Sequence, residues 1–408
     1  MRKPVIIVAG TRPECVKMAP LYFALRESAT LAPVFLATGQ HRQMLDQTLT
    51  AVGITPDYDL NLMAPDQTLA DLTVRALWAI GDFLARRAAG DPVPPAAVLV
   101  QGDTTTVLAA ALAAFYANIP VGHVEAGLRT GNMRSPFPEE MNRRLTAPLA
   151  RWHFCPTPLA RENLLREGIA PAACHVTGNT GIDALLRVRE RLAARDASLG
   201  APAAAAAQLA ARCQIPAAFA ERYLAAAGGA AATGAGASPW LLVTGHRRES
   251  FGSGFENICR AILRLVESYP ELGVLYPVHL NPRVQEPVRR LLGGHPRIAL
   301  VPPAAYEDFI WLLDRCRFAL SDSGGVQEEA PSLGKPVLVL RETTERPEGV
   351  AAGTCELVGA DADKIVAAAG ALLDDPAEYA RRAALKNPYG DGAAAARIRA
   401  ILERDLAA

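Results

Sequence analysis

The sequence predicts an α/β protein made of two doubly wound domains that face each other across a cleft. Three observations predict this fold class. The chain has 408 residues, half of them hydrophobic and 21% charged, and short β-branched runs alternate with helical patterns along two separate stretches. At roughly 100 to 200 residues per domain, this length predicts two domains with sizeable cores.

The first stretch of alternation covers residues 1–185. Each predicted strand ends in glycine or a polar residue and is followed by a helix or loop, as in βα units on a parallel sheet. The predicted strands are residues 5–9, 34–38, 97–101, 121–125, 153–156 and 175–178, and a long helix is predicted at 67–87. We therefore expect a Rossmann-like N-terminal domain over residues 1–185.

Composition changes at residues 186–239, which are rich in Ala and Gly. Ala favours helix, whereas the glycine cluster at 228–236 interrupts it, so we expect a connection that is part helix and part flexible. Alternation resumes at Trp240 with WLLVTG, VLYPVH, RIALVPP, FALSDSG and KPVLVLRE. These runs predict a second Rossmann-like domain over 240–385, followed at 386–408 by a C-terminal helix able to cross back to the first domain.

Charge and composition exclude several functional classes. Forty-two Lys and Arg balance 42 Asp and Glu, so no overall field attracts nucleic acid or anionic lipid. No apolar run approaches the roughly 20 residues of a membrane span, and the N-terminal run is too short for a signal peptide. The seven cysteines show no CxxC spacing and the seven histidines no HxxxH spacing, so we expect a cytoplasmic protein without disulfides or a metal site.

Polar residues follow the first predicted strand. A glycine turn at Gly10 leads into a helix, with the cations Arg12 and Lys17 beside it. Backbone N–H groups, the helix dipole and Arg all favour phosphate at such a place. The pattern is neither GxGxxG nor a P-loop, so an ordinary βα turn with solvated charges remains the alternative.

Three carboxylates are predicted at the same edge of the first sheet. Asp103 follows the third predicted strand, Glu125 ends the fourth, and Glu139 opens a helix after Pro138. Carboxylates that converge in this way are typical of general acid/base chemistry. The alternative is that Asp103 caps a helix and that Glu139 and Glu140 merely suit a helix N-terminus, which is the interpretation we prefer for Glu140. Arg143, one turn beyond Glu139, can share its helix face.

The second domain offers a different set of polar groups. Ser323, Gly324 and Gly325 directly precede a helix, so their backbone amides can hold a diphosphate, and Glu329 in that helix can reach a ribose diol. His246 follows a neighbouring strand. Tight packing of the SGG turn is the alternative.

Nine motifs, in order along nearly the whole chain, resemble the bacterial non-hydrolysing UDP-N-acetylglucosamine 2-epimerases. The motifs are GTRPECVKMAP, TGQHRQMLDQ, GDTTTVLAA, PVGHVEAGLRTGNMRSPFPEEMNRRLT, VTGNTGIDAL, TGHRRESFG, YPVHLNP, SDSGGVQEEAPSLGKPVLVLR and TTERPEGVAAGT. The resemblance implies a glycosyltransferase-B-like fold and a homodimer. It also implies that UDP is held mainly by the C-terminal domain, with the sugar facing the N-terminal one.

The family's site residues are carried over only where the motifs match. The catalytic carboxylates match Asp103, Glu125 and Glu139. The cationic groups around the diphosphate and sugar match Arg12, Lys17, Arg143 and His246, with His246 also counted among the catalytic residues; the diphosphate and ribose contacts match Ser323, Gly324, Gly325 and Glu329. Gln40 and Gln43 match a regulatory nucleotide-sugar pocket of some relatives, but Asp66 stands where those relatives have a basic residue.

The resemblance implies reversible C2 epimerisation of UDP-N-acetylglucosamine (UDP-GlcNAc) to UDP-N-acetylmannosamine (UDP-ManNAc), which supplies sugars for cell-surface polysaccharide. Elimination of UDP and its readdition are redox neutral, so we expect no nicotinamide, metal or other cofactor. The alternatives are a related UDP-sugar, such as a 3-acetamido uronic acid derivative, as substrate, a hydrolysing epimerase, a glycosyltransferase and a non-catalytic nucleotide-sugar sensor.

Overall fold

The computed structural model describes residues 1–39, 45, 48–50, 52–64, 67–225 and 238–407. The chain forms two compact units. The first contains Met1–Ala184 together with Tyr389–Ala408, and the second contains Leu185–Pro388. The C-terminal segment therefore completes the unit in which the chain begins.

The first unit is built on a seven-stranded parallel sheet in the order β3-β2-β1-β4-β5-β6-β7. Its strands are β1 (Lys3–Ala9), β2 (Leu31–Ala37), β3 (Tyr58–Asp59), β4 (Ala97–Gln101), β5 (Val121–Val124), β6 (Trp152–Cys155) and β7 (Cys174–Val176). Its helices include α1 (Arg12–Arg26), α2 (Leu69–Gly90), α3 (Thr105–Tyr116), α4 (Glu139–Thr146), α5 (Pro158–Arg166) and the start of α6 (Thr180–Ser198). The apolar residues 5–9 of β1 and 97–100 of β4 are buried, as expected of the centre of a parallel sheet.

The second unit contains a six-stranded parallel sheet in the order β10-β9-β8-β11-β12-β13. The strands are β8 (Trp240–Thr244), β9 (Gly273–Pro277), β10 (Ile298–Val301), β11 (Ala319–Ser321), β12 (Val337–Val339) and β13 (Cys355–Leu357). The helices include α7 (Pro202–Cys213), α8 (Ser253–Ser268), α9 (Pro282–Leu292), α10 (Tyr306–Arg315), α11 (Gly324–Glu329), α12 (Pro347–Ala351), α13 (Ala362–Asp374) and α14 (Pro376–Ala383).

Each sheet has a point where the strand order reverses. In the first unit β1 lies between β2 and β4, and in the second β8 lies between β9 and β11. In open α/β sheets, ligands bind beyond the carboxyl ends of the strands at this switch point. The turns after β1, β4, β8 and β11 are therefore the places where the fold favours a ligand.

The Ala-rich segment, predicted as a connection that is part helix and part flexible, contains a helix and belongs to the second unit. Its residues 202–213 form helix α7, and the described part of 186–239 is grouped with the second unit. Leu209, Phe219 and Tyr223 are buried in one core with Trp240 and Leu275. Ala side chains allow this close packing on the sheet. The glycine cluster at 228–236 lies outside the described residues.

The last helix, α15 (Ala394–Leu406), packs against α1. Ile398 and Leu402 are buried in the core formed with α1 and β1. The carboxylate of Asp183 accepts hydrogen bonds from the backbone N–H groups of Ala394, at 3.2 Å, and Ala395, at 2.8 Å. These bonds satisfy two N–H donors in the first turn of the helix, where no preceding helical turn supplies carbonyl acceptors. No helix among the described residues is long and apolar enough to cross a membrane.

Candidate functional site

The turns after β1 and β4 meet at the switch point of the first sheet. Glu14, in the first turn of α1, is 2% exposed. One of its carboxylate oxygens accepts hydrogen bonds from the backbone N–H of Gly10 at 3.0 Å and of Thr11 at 2.7 Å. The other accepts the hydroxyl of Thr104 at 2.7 Å. The Glu14 carboxylate thus joins the two turns.

The turn after β4 presents Asp103. Its carboxylate pairs with the guanidinium of Arg143 at 2.6 Å. Its backbone carbonyl oxygen accepts a hydrogen bond from the side-chain amide of Asn142 at 2.8 Å. The next residue, Thr104, is the one that caps α3, because its hydroxyl accepts the N–H of Val107 at 3.2 Å. The interpretation of Asp103 as a helix cap is therefore wrong.

Glu125 lies just beyond β5 and is held from two sides. Lys17 forms an ion pair with its carboxylate, and the side-chain amide of Gln101 donates a hydrogen bond to it at 3.0 Å. Lys17, which the sequence predicted beside a phosphate-binding turn, therefore contacts the carboxylate of Glu125. Glu125 also has φ = 66°, the left-handed conformation that a non-glycine residue rarely adopts. Strained backbone of this kind is concentrated at functional sites.

The start of α4 contains one exposed and one buried carboxylate. Glu139 is partly exposed, and its side chain forms no ion pair or hydrogen bond with the described residues. Glu140 is fully buried, pairs with Arg143 at 3.1 Å and Arg144 at 3.4 Å, and accepts two backbone N–H groups of the preceding loop. Arg143 therefore contacts Asp103 and Glu140, and not Glu139. Glu140 therefore links helix α4 to the preceding loop, so the interpretation that it merely suits a helix N-terminus is incomplete.

His123, on β5, supports the turn that carries Asp103. Its Nε2 donates a hydrogen bond to the carbonyl oxygen of Gly102 at 2.7 Å, and its Nδ1 is buried and has no hydrogen-bond partner among the described residues. Burial lowers the pKa of His123 to about 4, and the nearby Arg129 and Arg143 act in the same direction. The imidazole is therefore neutral at pH 7. The sequence alone left the role of His123 open.

Arg12 is the remaining predicted cation of the first unit. Arg12, at the first position of α1, makes no side-chain hydrogen bond or ion pair with the described residues.

Gln40 and Gln43, the residues of the predicted regulatory pocket, lie outside the described part of the chain. No three His, Cys, Asp or Glu side chains among the described residues are grouped so as to hold a metal ion.

The switch point of the second sheet is organised by Asp322, which follows β11. Its carboxylate accepts the backbone N–H groups of His246 at 2.7 Å and Arg247 at 2.8 Å, and pairs with Nδ1 of His246 at 3.0 Å. Burial of Asp322 raises its pKa, but the bonds and charge of His246 outweigh burial and lower the pKa below its usual range. The His246 ring also stacks on His279, with centroids 5.8 Å apart.

The residues after Asp322 form the predicted SGG turn. Ser323 is the N-cap of α11, and Gly324 and Gly325 form its first turn. A side chain on Gly324 would lie 3.5 Å from the guanidinium carbon of Arg346. The hydroxyl of Tyr306 donates a hydrogen bond to Glu329 at 3.0 Å. Backbone amides, a histidine and a guanidinium therefore lie at this turn, as expected of an anion site. The guanidinium of Arg346 is paired with the carboxylate of Glu328 at 2.6 Å.

Asp322, Arg346 and Glu14 were missed by sequence reasoning. Each lies inside a motif that was recognised, so the signal was present: Asp322 directly precedes Ser323, and Glu14 completes GTRPE. Two of them have partners far away along the chain: His246 is 76 residues from Asp322, and Thr104 is 90 residues from Glu14. Such pairs form only once the sheet brings the turns together.

Comparison with known proteins places this chain in one family. The family profile described as UDP-N-acetylglucosamine 2-epimerase matches residues 23–403. The chain belongs to the UDP-N-acetylglucosamine 2-epimerase family. It is 50% identical over 396 residues to a probable UDP-N-acetylglucosamine 2-epimerase of Ralstonia solanacearum, with 97% of each chain covered. It is 48% identical over 401 residues to the UDP-N-acetylglucosamine 2-epimerase of Escherichia coli K12, with 98% of each chain covered.

Solved structures of the epimerase family agree with this assignment. The UDP-GlcNAc 2-epimerase of Neisseria meningitidis, crystallised with UDP-GlcNAc, is 44% identical and gives a TM-score of 0.81, covering 98% of this chain and all of that one. The enzyme of Methanocaldococcus jannaschii, in complex with UDP-GlcNAc and UDP, is 31% identical with a TM-score of 0.72, covering 98% and 99%. The family and the α/β, glycosyltransferase-B-like fold expected from the sequence are confirmed.

Proposed function

We propose that this chain catalyses the reversible epimerisation of UDP-GlcNAc to UDP-ManNAc at C2. The observation that carries the proposal is the first switch point, where Asp103, Glu125 and the helix starting at Glu139 come together with the cations Lys17 and Arg143. Its family membership supports the same reaction. We expect the reaction in the cytoplasm, where it supplies ManNAc-type sugars for cell-surface polysaccharide.

The substrate determines the mechanism. The C2 proton is not α to a carbonyl group, so its direct removal would leave an unstabilised carbanion. The C1–O bond breaks first or at the same time, UDP leaves with the bonding electrons, and a carboxylate takes the C2 proton to give 2-acetamidoglucal. Protonation of C2 from the opposite face and readdition of UDP at C1 give UDP-ManNAc. The enzyme needs an acid/base group on each face of C2 and anionic groups near C1.

We assign Glu139 to the proton-transfer pair, because no cation or hydrogen-bond donor of the described residues neutralises it. Asp103 or Glu125 supplies the second member, and the remaining carboxylate stabilises positive charge at C1. The fixed neighbours of both, Arg143 for Asp103 and Lys17 for Glu125, hold their oxygens in place before substrate arrives. Preorganised charge of this kind is effective because it does not reorient during the reaction.

For the nucleotide, we propose that the second unit binds UDP. The backbone amides of Gly324 and Gly325, the hydroxyl of Ser323 and the imidazole of His246 receive the diphosphate, and Glu329 receives the ribose diol. The backbone N–H of Ser323 donates instead to the hydroxyl of Ser321 at 3.0 Å. Asp322 supports this assignment, since it holds both the ring and the backbone of His246 in one orientation. Arg12 of the first unit, which has no protein partner among the described residues, supplies a further cation for the departing diphosphate.

The experiment is incubation of the purified protein with UDP-GlcNAc alone while the anomeric signals are followed by NMR. The proposal predicts that UDP-ManNAc appears and approaches equilibrium from either sugar. Release of free ManNAc would instead identify a hydrolysing epimerase. Turnover of a 3-acetamido uronic acid derivative without turnover of UDP-GlcNAc would change the substrate.

We also propose that two copies of this chain form a homodimer through an apolar surface on α2 and α3. Val74 and Trp78, one turn apart on α2, are 66% and 74% exposed, and Phe115 and Tyr116 at the end of α3 are 55% and 69% exposed. Helices α2 and α3 pack together, and grouped apolar side chains of this size are unusual on a monomer surface. Sedimentation should give a dimer for the wild type and a monomer for Trp78→Lys, whereas a monomeric wild type would refute the dimer.

A further inference from the structure

The carboxylate of Glu14 is more extensively bonded than the helix start requires. Thr11 and Glu14 form a capping box, in which each residue satisfies backbone N–H groups at the start of α1. Glu14 also accepts the hydroxyl of Thr11 at 2.7 Å and the backbone N–H of Gly10 at 3.0 Å. Its second oxygen leaves α1 altogether and accepts the hydroxyl of Thr104 at 2.7 Å.

Another capping box in this chain shows what the motif does alone. Thr68 and Asp71 at the start of α2 make the same reciprocal bonds, at 3.0 and 3.1 Å. That pair is exposed, and the side-chain hydrogen bonds that it makes with the described residues stay within residues 68–71. Glu14, by contrast, is 2% exposed. A buried carboxylate costs free energy unless several donors satisfy it, so its bond to Thr104 has a use beyond capping α1.

Thr104 connects Glu14 to the turn that presents Asp103. Its hydroxyl donates to Glu14 and accepts the N–H of Val107, so it fixes the start of α3 directly after Asp103. On the other side, Asn142 donates to the carbonyl oxygen of Asp103. The backbone of Asp103 is thus held between Thr104 and Asn142, and its carboxylate is aimed by Arg143.

We propose that Glu14 is a positioning residue that sets the orientation of Asp103 through Thr104 and couples it to the turn carrying Arg12. This inference rests on the proposed function, because it gives Asp103 a role in the reaction. Glu14 itself contacts no reacting atom in this account. A small displacement of a reacting group lowers the rate of the chemical step more than it lowers substrate binding.

The most selective variant is Glu14→Asp. Aspartate at this position can complete a capping box, as Asp71 does, but it is one methylene too short to reach Thr104 as well. We expect kcat to fall about tenfold or more with UDP affinity changed less than about threefold. Thr104→Val should lower kcat similarly, Thr104→Ser should restore it, and the effect of Glu14→Asp should be largely absent in the Thr104→Val background, since coupled residues are not additive.

Asp71→Asn is the matched control, because it weakens a capping box that lies outside the site. It should lower the thermal unfolding temperature slightly and leave kcat unchanged. If Glu14→Asp behaves like Asp71→Asn, Glu14 is only a helix cap and the proposal is wrong. A uniform loss of kcat and UDP affinity in Glu14→Asp would also contradict it.

Hydrogen exchange separates this proposal from the proposed function. Amides of residues 102–107 should exchange faster in Glu14→Asp than in the wild type or Asp71→Asn, because loss of the Thr104 bond loosens that turn. This readout needs no turnover. A wild type that does not epimerise UDP-GlcNAc would refute the proposed function, whereas unchanged exchange at 102–107 would refute the role of Glu14.

Discussion

At the scale of single residues, the three candidate carboxylates differ in their neighbours. Asp103 is paired with Arg143 and Glu125 with Lys17, whereas Glu139 has no ionic partner among the described residues. A general acid and a general base that act on opposite faces of one carbon need different environments. The first unit supplies this difference within two turns and one helix start.

Removing the charge of each carboxylate should test these roles. Asp103→Asn, Glu125→Gln and Glu139→Gln should each lower kcat by roughly a hundredfold or more while UDP affinity changes less than about tenfold. Glu162→Gln, at an exposed carboxylate on α5 that pairs with Arg166, is the control and should keep wild-type kinetics. Near-normal turnover in any of the first three would remove that residue from the site.

His246 should act on the nucleotide. Loss of one charge-assisted hydrogen bond in His246→Ala should weaken UDP binding by about 1.5 to 3 kcal/mol, or roughly ten- to a hundredfold. Calorimetric titration with UDP alone measures this loss, and His295→Ala serves as a control at a histidine outside the site. Unchanged UDP affinity with lost turnover would assign His246 to the chemistry at the sugar.

His123 should make stability depend on pH. Its pKa is lowered from 6.5 to about 4 in the folded protein by burial, so between these values the unfolded state binds the extra proton. Folding stability should therefore fall as pH decreases from about 6.5 to 4, by an amount on the order of 3 kcal/mol for this residue. Urea unfolding at several pH values measures how the free energy of unfolding changes with pH. This change should be smaller in His123→Gln than in the wild type, and an equal change in both would refute the neutral buried imidazole.

At the scale of elements, the turn after Glu125 depends on close packing with α5. A methyl group on Gly127 would lie 2.1 Å from the backbone oxygen of Ala160, and Gly127 has φ = 90°. Gly127→Ala must displace backbone and should destabilise the protein by more than about 2 kcal/mol. Gly131→Ala is the matched control, because Gly131 has φ = 78° but nothing within 4 Å, so only backbone strain of roughly 1 kcal/mol is expected. If urea unfolding showed the same decrease in the free energy of unfolding for Gly127→Ala and Gly131→Ala, this packing argument would be contradicted.

Most elements could be predicted from the sequence because their patterns are local. Strand β4 was predicted with the observed bounds, and the other predicted strands overlap the observed ones. The two-residue strand β3 and the three-residue strand β13 were missed. Helix α7 was only partly predicted because Ala-rich sequence does not show which face is buried. The bond between Glu14 and Thr104 and the bonds of Asp322 to residues 246 and 247 could not be predicted, because these partners are brought near only by the parallel sheets.

At the scale of the whole molecule, the same design occurs twice. Each unit has a parallel sheet whose strand order reverses once, and at that point a buried carboxylate ties two turns together: Glu14 in the first unit and Asp322 in the second. The residues proposed for sugar chemistry lie at one switch point and those proposed for UDP at the other. Variants of the three carboxylates of the first unit should therefore lose kcat, whereas variants of His246 and the SGG turn in the second unit should lose UDP affinity.

The central claim is that the hydrogen at C2 is removed by one carboxylate of the enzyme and that C2 is then protonated by another. Epimerisation of UDP-GlcNAc in deuterium oxide, followed by NMR and mass spectrometry, tests it most directly. The account predicts deuterium at C2 of both UDP-GlcNAc and UDP-ManNAc, because the carboxylates exchange their protons with solvent. Turnover to UDP-ManNAc with full retention of the original C2 hydrogen would contradict proton transfer by two separate carboxylates.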